Sequence, residues 1–183
     1  MRIVDLRASD IAAKQQAAQI LYAAFKENWP KAWPDLDAAL AEVEESLDAD
    51  RISRIALSND GQVLGWIGGI REYRGNAWEL HPLAVHPDFQ GQGIGSQLVT
   101  DLEEQLRARG AVTVYLGTDD ENNMTSLGGA DLFPDVLEKL KDIQDLRRHP
   151  FGFYQKLGFV LVGVIPDANG KGKPDILMAK LLL

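Results

Sequence analysis

The residues Gln90-Gly91-Gln92-Gly93-Ile94-Gly95-Ser96 carry the strongest chemical signal in the chain. They follow an apolar strand pattern ending at Leu83-Ala84-Val85 and a turn at His86-Pro87-Asp88. They open straight into a helical pattern in which Leu98, Leu102 and Leu106 recur every four residues. Glycine has no Cβ, so such a loop can turn with its N–H groups facing outward. A helix N-terminus behind those groups adds partial positive charge. The segment is an anion cradle, suited to a phosphate or pyrophosphate.

Two familiar nucleotide loops do not match it. A Walker loop needs a Lys-Ser/Thr pair after its last glycine, and Gly95 is followed by Ser96-Gln97. A Rossmann loop places wider-spaced glycines after a first strand, whereas Gly91-x-Gly93-x-Gly95 follows the fourth expected strand.

The elements that must position this loop read as one mixed α/β domain over residues 1–183. Arg2 to Arg7 alternates as a strand. Asp10 can cap a helix running to about Glu27, and Pro30 and Pro34 must end it. A second helix is expected from Asp35 or Asp37 to about Leu47. Arg51–Ser58 and Gln62–Tyr73 flank Asn59-Asp60-Gly61 as a hairpin, and a turn at Arg74-Gly75-Asn76 leads to a strand from Ala77 to Val85. After the glycine-loop helix come a strand from Ala111 to Gly117 and a helix from Phe133 to Leu146. A short helix at Phe151–Gly158 and strands at Phe159–Ile165 and Asp175–Leu182 close the pattern.

Composition narrows the chemistry. The 183 residues contain no cysteine, which removes disulfides, thiolate metal sites and a thioester intermediate on a Cys side chain. His81, His86 and His149 show no metal spacing, so no metal is expected. A net charge of −8 argues against nucleic acid. No apolar run reaches the length of a membrane helix, and the charged N-terminus does not read as a signal peptide, so no membrane partner and a cytoplasmic location are expected. Between Asp35 and Asp50 stand seven carboxylates and no basic residue. They form either solvated faces or a surface that steers a cationic substrate.

Gln90-x-x-Gly93-x-Gly95, set between Leu83-Ala84-Val85-His86-Pro87 and a later Phe153-Tyr154-x-x-Leu157-Gly158-Phe159, resembles the GNAT acyltransferase superfamily. Further segments resemble the aminoglycoside 6'-N-acetyltransferases of the chromosomal enterococcal type. They are Trp78-Glu79-Leu80-His81-Pro82-Leu83, Tyr115-Leu116-Gly117-Thr118-Asp119-Asp120 and Val162-Gly163-Val164-Ile165-Pro166-Asp167-Ala168-Asn169-Gly170. The likeness spans nearly the whole chain. The loop Glu121-Asn122-Asn123 departs from it, which bears on substrate range more than on reaction.

The resemblance implies the GNAT fold, a mixed central sheet of six to seven strands flanked by helices, and acetyl-CoA as cosubstrate. Gln90, Gly91, Gln92, Gly93, Ile94, Gly95 and Ser96 would then hold the pyrophosphate, and backbone groups of Leu83, Ala84 and Val85 the pantetheine arm. The Leu83 N–H becomes the oxyanion donor, a contact worth about 3 kcal/mol in comparable sites. Glu79 is either the group that receives the amine's proton or an anchor for the cation. Tyr154 either protonates the departing thiolate or packs beside the cofactor arm.

For the acceptor, Trp29 and Tyr73 offer ring faces, His81 shares Glu79's face by the strand period, and Asp120 and Asn122 lie in the loop expected to reach it. Trp33 reads equally as a packing ring, and His86 and His149 as turn residues. The implied activity is acetylation of an aminoglycoside 6'-amine by direct attack in a ternary complex, conferring resistance. A GNAT enzyme acting on a polyamine, small metabolite or protein lysine and a non-catalytic acyl-CoA-binding module are the alternatives. The family further implies a homodimer.

Overall fold

Two tight turns build the first half of the fold. In the computed structural model, which describes residues 1–183, β2 (Arg51–Leu57) pairs antiparallel with β3 (Val63–Glu72), and β3 with β4 (Ala77–Val85). Gly61 and Gly75 take φ of +89° and +90° in the two turns, a region most residues avoid. Strand β1 (Arg2–Asp5) pairs with β2, giving the order β1-β2-β3-β4.

Helix α1 (Ile11–Phe25) starts where the Asp10 carboxylate accepts the Ala13 N–H, and α2 (Leu36–Glu45) where Asp35 accepts that of Ala38. Both bury small residues, Ala17 and Ala18 of α1 and Ala39 of α2, against Leu21, Val43, Ile55, Val63 and Trp66. The Trp66 indole N–H donates to the Ser53 hydroxyl, so its polar atom is satisfied inside this core.

Helix α3 (Ile94–Ala108) sits on β3 through two glycines. A Cβ on Gly65 would stand 3.0 Å from a Leu98 methyl, and one on Gly69 3.1 Å from a Leu102 methyl. That close seating fixes where the helix begins relative to the end of β4. Met1–Val114 with Leu182–Leu183 form one compact unit, and Tyr115–Leu181 a second.

Strand β5 (Thr113–Asp119) leads into the second unit. There α4 (Val136–Lys141) and α5 (Phe151–Lys156) precede β6 (Val160–Ile165) and β7 (Asp175–Leu181). Strand β7 lies between β5 and β6 and runs antiparallel to β6. Seven strands with flanking helices make the expected mixed α/β fold. No helix is long and apolar enough to cross a membrane.

Two expected boundaries are corrected. Strand β5 begins at Thr113, not Ala111, because the Ala111 N–H still closes the end of α3 on the Leu106 carbonyl. The helix expected over Phe133–Leu146 is confined to Val136–Lys141. Beyond it the backbone pairs with a neighbouring loop: Leu146 and Arg147 N–H both donate to the Met124 carbonyl, and Ser126 N–H to that of Gln144. Phe133, Leu137 and Leu146 are exposed, and the inward face is the narrower one of Leu140 with the half-buried Val136 and Ile143.

Candidate active site

The register of β4 carries the first feature of the site. Ile67 pairs with Leu83 and Gly69 with Leu80, which leaves His81 and Pro82 together opposite Gly68. This is a β-bulge, and it disrupts the ladder directly ahead of Leu83-Ala84-Val85. Pro82 has no N–H to offer the ladder, and a Cβ on Gly68 would collide with the His81 carbonyl oxygen. Along β4 the side chains of Trp78, Leu80, Pro82 and Ala84 are buried, while Glu79, His81, Leu83 and Val85 share a half-buried face.

Other elements of the first unit meet that face. The His81 ring lies 5.9 Å from the ring of Trp33, and its Nε2 is 3.8 Å from Glu42 Oε1 on α2. Trp33 is buried and also stands edge-on to Phe25 at 4.8 Å, so it packs beneath His81 and presents no free face to a sugar. Trp29 is half-buried, 5.4 Å from Phe25. Tyr73, 73% exposed, sits in the turn ahead of β4, at the end opposite the glycine loop.

The glycine loop leaves the other end of β4. His86 turns the chain there: its Nδ1 accepts the Asp88 N–H at 3.2 Å over a single 3-10 turn, Pro87–Phe89. The Gln90 amide donates back to the Val85 carbonyl at 3.1 Å, pinning the loop to the strand end. Gly91 and Gly93 adopt φ of +74° and +83°, and nothing lies within 4 Å of where a Gly91 Cβ would be. The first bond of α3 runs from Gln97 N–H to the Gly93 carbonyl. The amides of Ile94, Gly95 and Ser96 ahead of it therefore lack intrahelical acceptors. An open, left-handed Gly-x-Gly turn followed by such amides fits a diphosphate, with free space beside Gly91 and the Gln97 side-chain amide 3.9 Å from where a Gly93 Cβ would be.

In the second unit Tyr154 lies on α5, only 8% exposed, edge-on to Phe153 at 5.0 Å and to Phe159 at 5.5 Å. Burial pushes its phenol well above the ordinary tyrosine range, so the hydroxyl keeps its proton. Asp120 is fully buried. Its Oδ1 accepts the Met124 N–H at 2.7 Å, and its Oδ2 both the N–H and the hydroxyl of Thr125 at 2.8 Å. In place of the acceptor contact expected of it, Asp120 organises the loop from inside. Asn122 in that loop is exposed.

Of the two readings of the acidic segment, the structure bears on the steering surface. Glu42 and Glu45 face Arg51, Glu44 faces Lys14, Asp50 faces Arg71, and Asp35 caps α2. Most of these carboxylates are engaged locally, so the run is not a bare anionic surface. His86 is a turn residue as expected, but His149 is a buried tie. Sequence reasoning passed over Gly68 and met Glu42 only as one carboxylate of the acidic run. A proline inside a strand opposite a Gly-Gly pair is the signal that could have revealed the first.

A family model described as "Acetyltransferase (GNAT) family" matches residues 16–128. Over its full length the chain is 40% identical to a crystal structure of aminoglycoside 6'-N-acetyltransferase complexed with coenzyme A, covering 98% of that chain with a TM-score of 0.91. It is 39% identical to the aminoglycoside 6'-N-acetyltransferase from Enterococcus faecium, covering 100% of this chain and 98% of that one, with a TM-score of 0.88. A curated relative, an acetyltransferase of Pectobacterium atrosepticum, is 34% identical over 83 residues, 45% of this chain and 57% of the relative. The chain thus matches little more than half the length of that relative. With the bulged β4, the Gly-x-Gly cradle and a matching family model in hand, we assign the chain to the GNAT acetyltransferase family.

Proposed function

We propose that the protein transfers the acetyl group of acetyl-CoA to the 6'-amine of an aminoglycoside, in the cytoplasm and by direct attack within a ternary complex. The observation that carries this reading is the 40% identity, over the whole chain, to a structure of such an acetyltransferase with coenzyme A. The amides from Gly91 to Ser96 bind the pyrophosphate, and backbone groups of Leu83, Ala84 and Val85, the stretch that follows the bulge, pair with the pantetheine arm. The Leu83 N–H donates to the thioester oxygen as charge develops there.

Glu79, on the same face of β4 and four residues earlier, takes a proton from the acceptor's ammonium, directly or through water, and leaves the neutral amine that attacks. The neutral amine nitrogen bonds to the carbonyl carbon, the resulting adduct gives up its second N–H proton to solvent, the carbon–sulfur bond breaks, and sulfur leaves as thiolate. Tyr154, neutral in the resting site, supplies a proton to that sulfur as negative charge develops on it. His81, Trp29 and Tyr73, together with the exposed Asn122, are the acceptor-side groups. No cysteine is present to carry the acetyl group, in keeping with direct transfer.

A homodimer fits the second unit. Strand β6 ends the sheet order, and Val160 and Val162 on it are 61% and 56% exposed. A smaller amine as natural acceptor is favoured by one observation, the local pairing of the Asp35–Asp50 carboxylates, which weakens the pull on a polycation.

Thiol release from acetyl-CoA across a panel of amines tests the proposal. Aminoglycosides with a 6'-amine should react, and analogues with a 6'-hydroxyl should not. A small metabolite amine preferred by orders of magnitude would move the protein to the second reading.

A further inference from the structure

His149 is a buried titratable group that this chemistry does not use. It is 2% exposed. Its Nδ1 lies 3.2 Å from the Phe151 amide nitrogen and its Nε2 lies 3.0 Å from the Asp119 carbonyl oxygen. A peptide N–H only donates, so Nδ1 is an acceptor. A neutral ring then carries its proton on Nε2 and donates it to Asp119. The backbone N–H of His149 is itself held by Asp145 Oδ1 at 2.9 Å, and the ring lies 5.7 Å from that of Phe151.

One side chain thus ties the last residue of β5 to the first residue of α5. Tyr154 follows Phe151 by three positions on that helix, so the two lie on one face. We infer that His149, as the neutral Nε2–H tautomer, is a positioning residue for Tyr154, and that its protonation releases the start of α5. The inference rests on the proposed part of Tyr154 in acetyl transfer.

An imidazolium would turn an N–H toward the Phe151 N–H, and that hydrogen bond would be lost. The charged groups around the ring are Asp119 at the end of β5, Asp120 in the following loop and Asp145 ahead of α5. They favour the cation. Burial opposes it and prevails, holding His149 below the ordinary histidine range. Their oxygens already have donors: Asp120 has Met124 and Thr125, Asp145 has the His149 N–H, and Asp119 Oδ1 has the Asn169 amide at 2.5 Å.

The experiment uses wild type, Tyr154→Phe, His149→Ala and the double variant, with the fastest-reacting amine of the panel. Nitrogen NMR of the wild-type ring should show the Nε2–H tautomer at neutral pH and a titration below the ordinary histidine value. Wild-type kcat should fall on acidification with that same midpoint, and Tyr154→Phe should lack this acid limb. His149→Ala should lower kcat about tenfold with the KM for acetyl-CoA within about twofold, and the double variant should be no slower than Tyr154→Phe.

Should His149→Ala fail to fold, the titration and the two pH profiles still decide the matter. An Nδ1–H ring, an acid limb with the His149 midpoint that survives in Tyr154→Phe, or additive losses in the double variant would overturn the inference alone. Wild-type turnover in Tyr154→Phe would instead sink the role of Tyr154, and the inference with it.

Discussion

Gly68 on β3 faces the His81 carbonyl so closely that a Cβ could not stand between them. That approach lets β4 hold two residues, His81 and Pro82, against one. The obstructing atom is backbone, so a side chain cannot swing aside to relieve it. Gly68→Ala should destabilise the protein by about 1–3 kcal/mol, the usual penalty of forced overpacking. It should also lower acetyl transfer beyond what lost stability explains. Thermal unfolding and steady-state kinetics on the same preparation check this, and an unchanged kcat in a folded variant would detach the bulge from the chemistry.

Glu79 shares the half-buried face of β4 with Leu83. If it receives the proton, its help matters most where the amine is mostly protonated. Glu79→Gln should lower kcat/KM about a hundredfold, with the ratio to wild type widest at low pH. A ratio that stays flat across the pH profile would leave Glu79 as an anchor for the cation.

Asp120 holds three donors with no exposure to solvent. Asp120→Ala would leave the Met124 and Thr125 donors unsatisfied in the interior. A loss of about 3 kcal/mol is expected from charge-assisted bonds of this kind. For a chain of this length that corresponds to roughly 6–12 °C in Tm. An unchanged Tm with a raised KM for the acceptor would restore the contact role that the sequence suggested.

His149 sets a pH dependence of stability. Its pKa is lowered in the folded protein by burial, so the unfolded chain binds the proton more readily. The contribution is fully present above about pH 6.5, the unfolded histidine value. It is lost as pH falls below that toward the folded value, at up to about 1.4 kcal/mol per pH unit. His149→Asn should remove this slope, measured by denaturant unfolding between neutral and mildly acidic pH. A slope that persists in the variant would assign it to other groups.

The sequence was most legible where local chemistry decides structure. Asp10 and Asp35 start helices because their carboxylates reach the amides three residues on, and Gly61 and Gly75 turn the chain because their φ is positive. The Gly-x-Gly loop was readable for the same reason. What remained hidden depends on partners distant in sequence. Asp120 reads as a free carboxylate until Thr125 folds back onto it. The acidic run looks unpaired because Lys14, Arg51 and Arg71 lie outside it. Residues 142–146 carry a helical apolar spacing, but pairing with Met124–Ser126 takes their backbone.

Calorimetric titration of wild type and Gly93→Val with acetyl-CoA is the most direct test. Gly93 caps α3 at φ +83°, where a β-branched residue is strongly disfavoured, so valine should turn the loop amides away. Saturable one-site binding by wild type, weakened at least tenfold in a folded Gly93→Val, is the expected result. No heat of binding in wild type, or equal affinity in the two proteins, would contradict the assignment of the diphosphate to this loop.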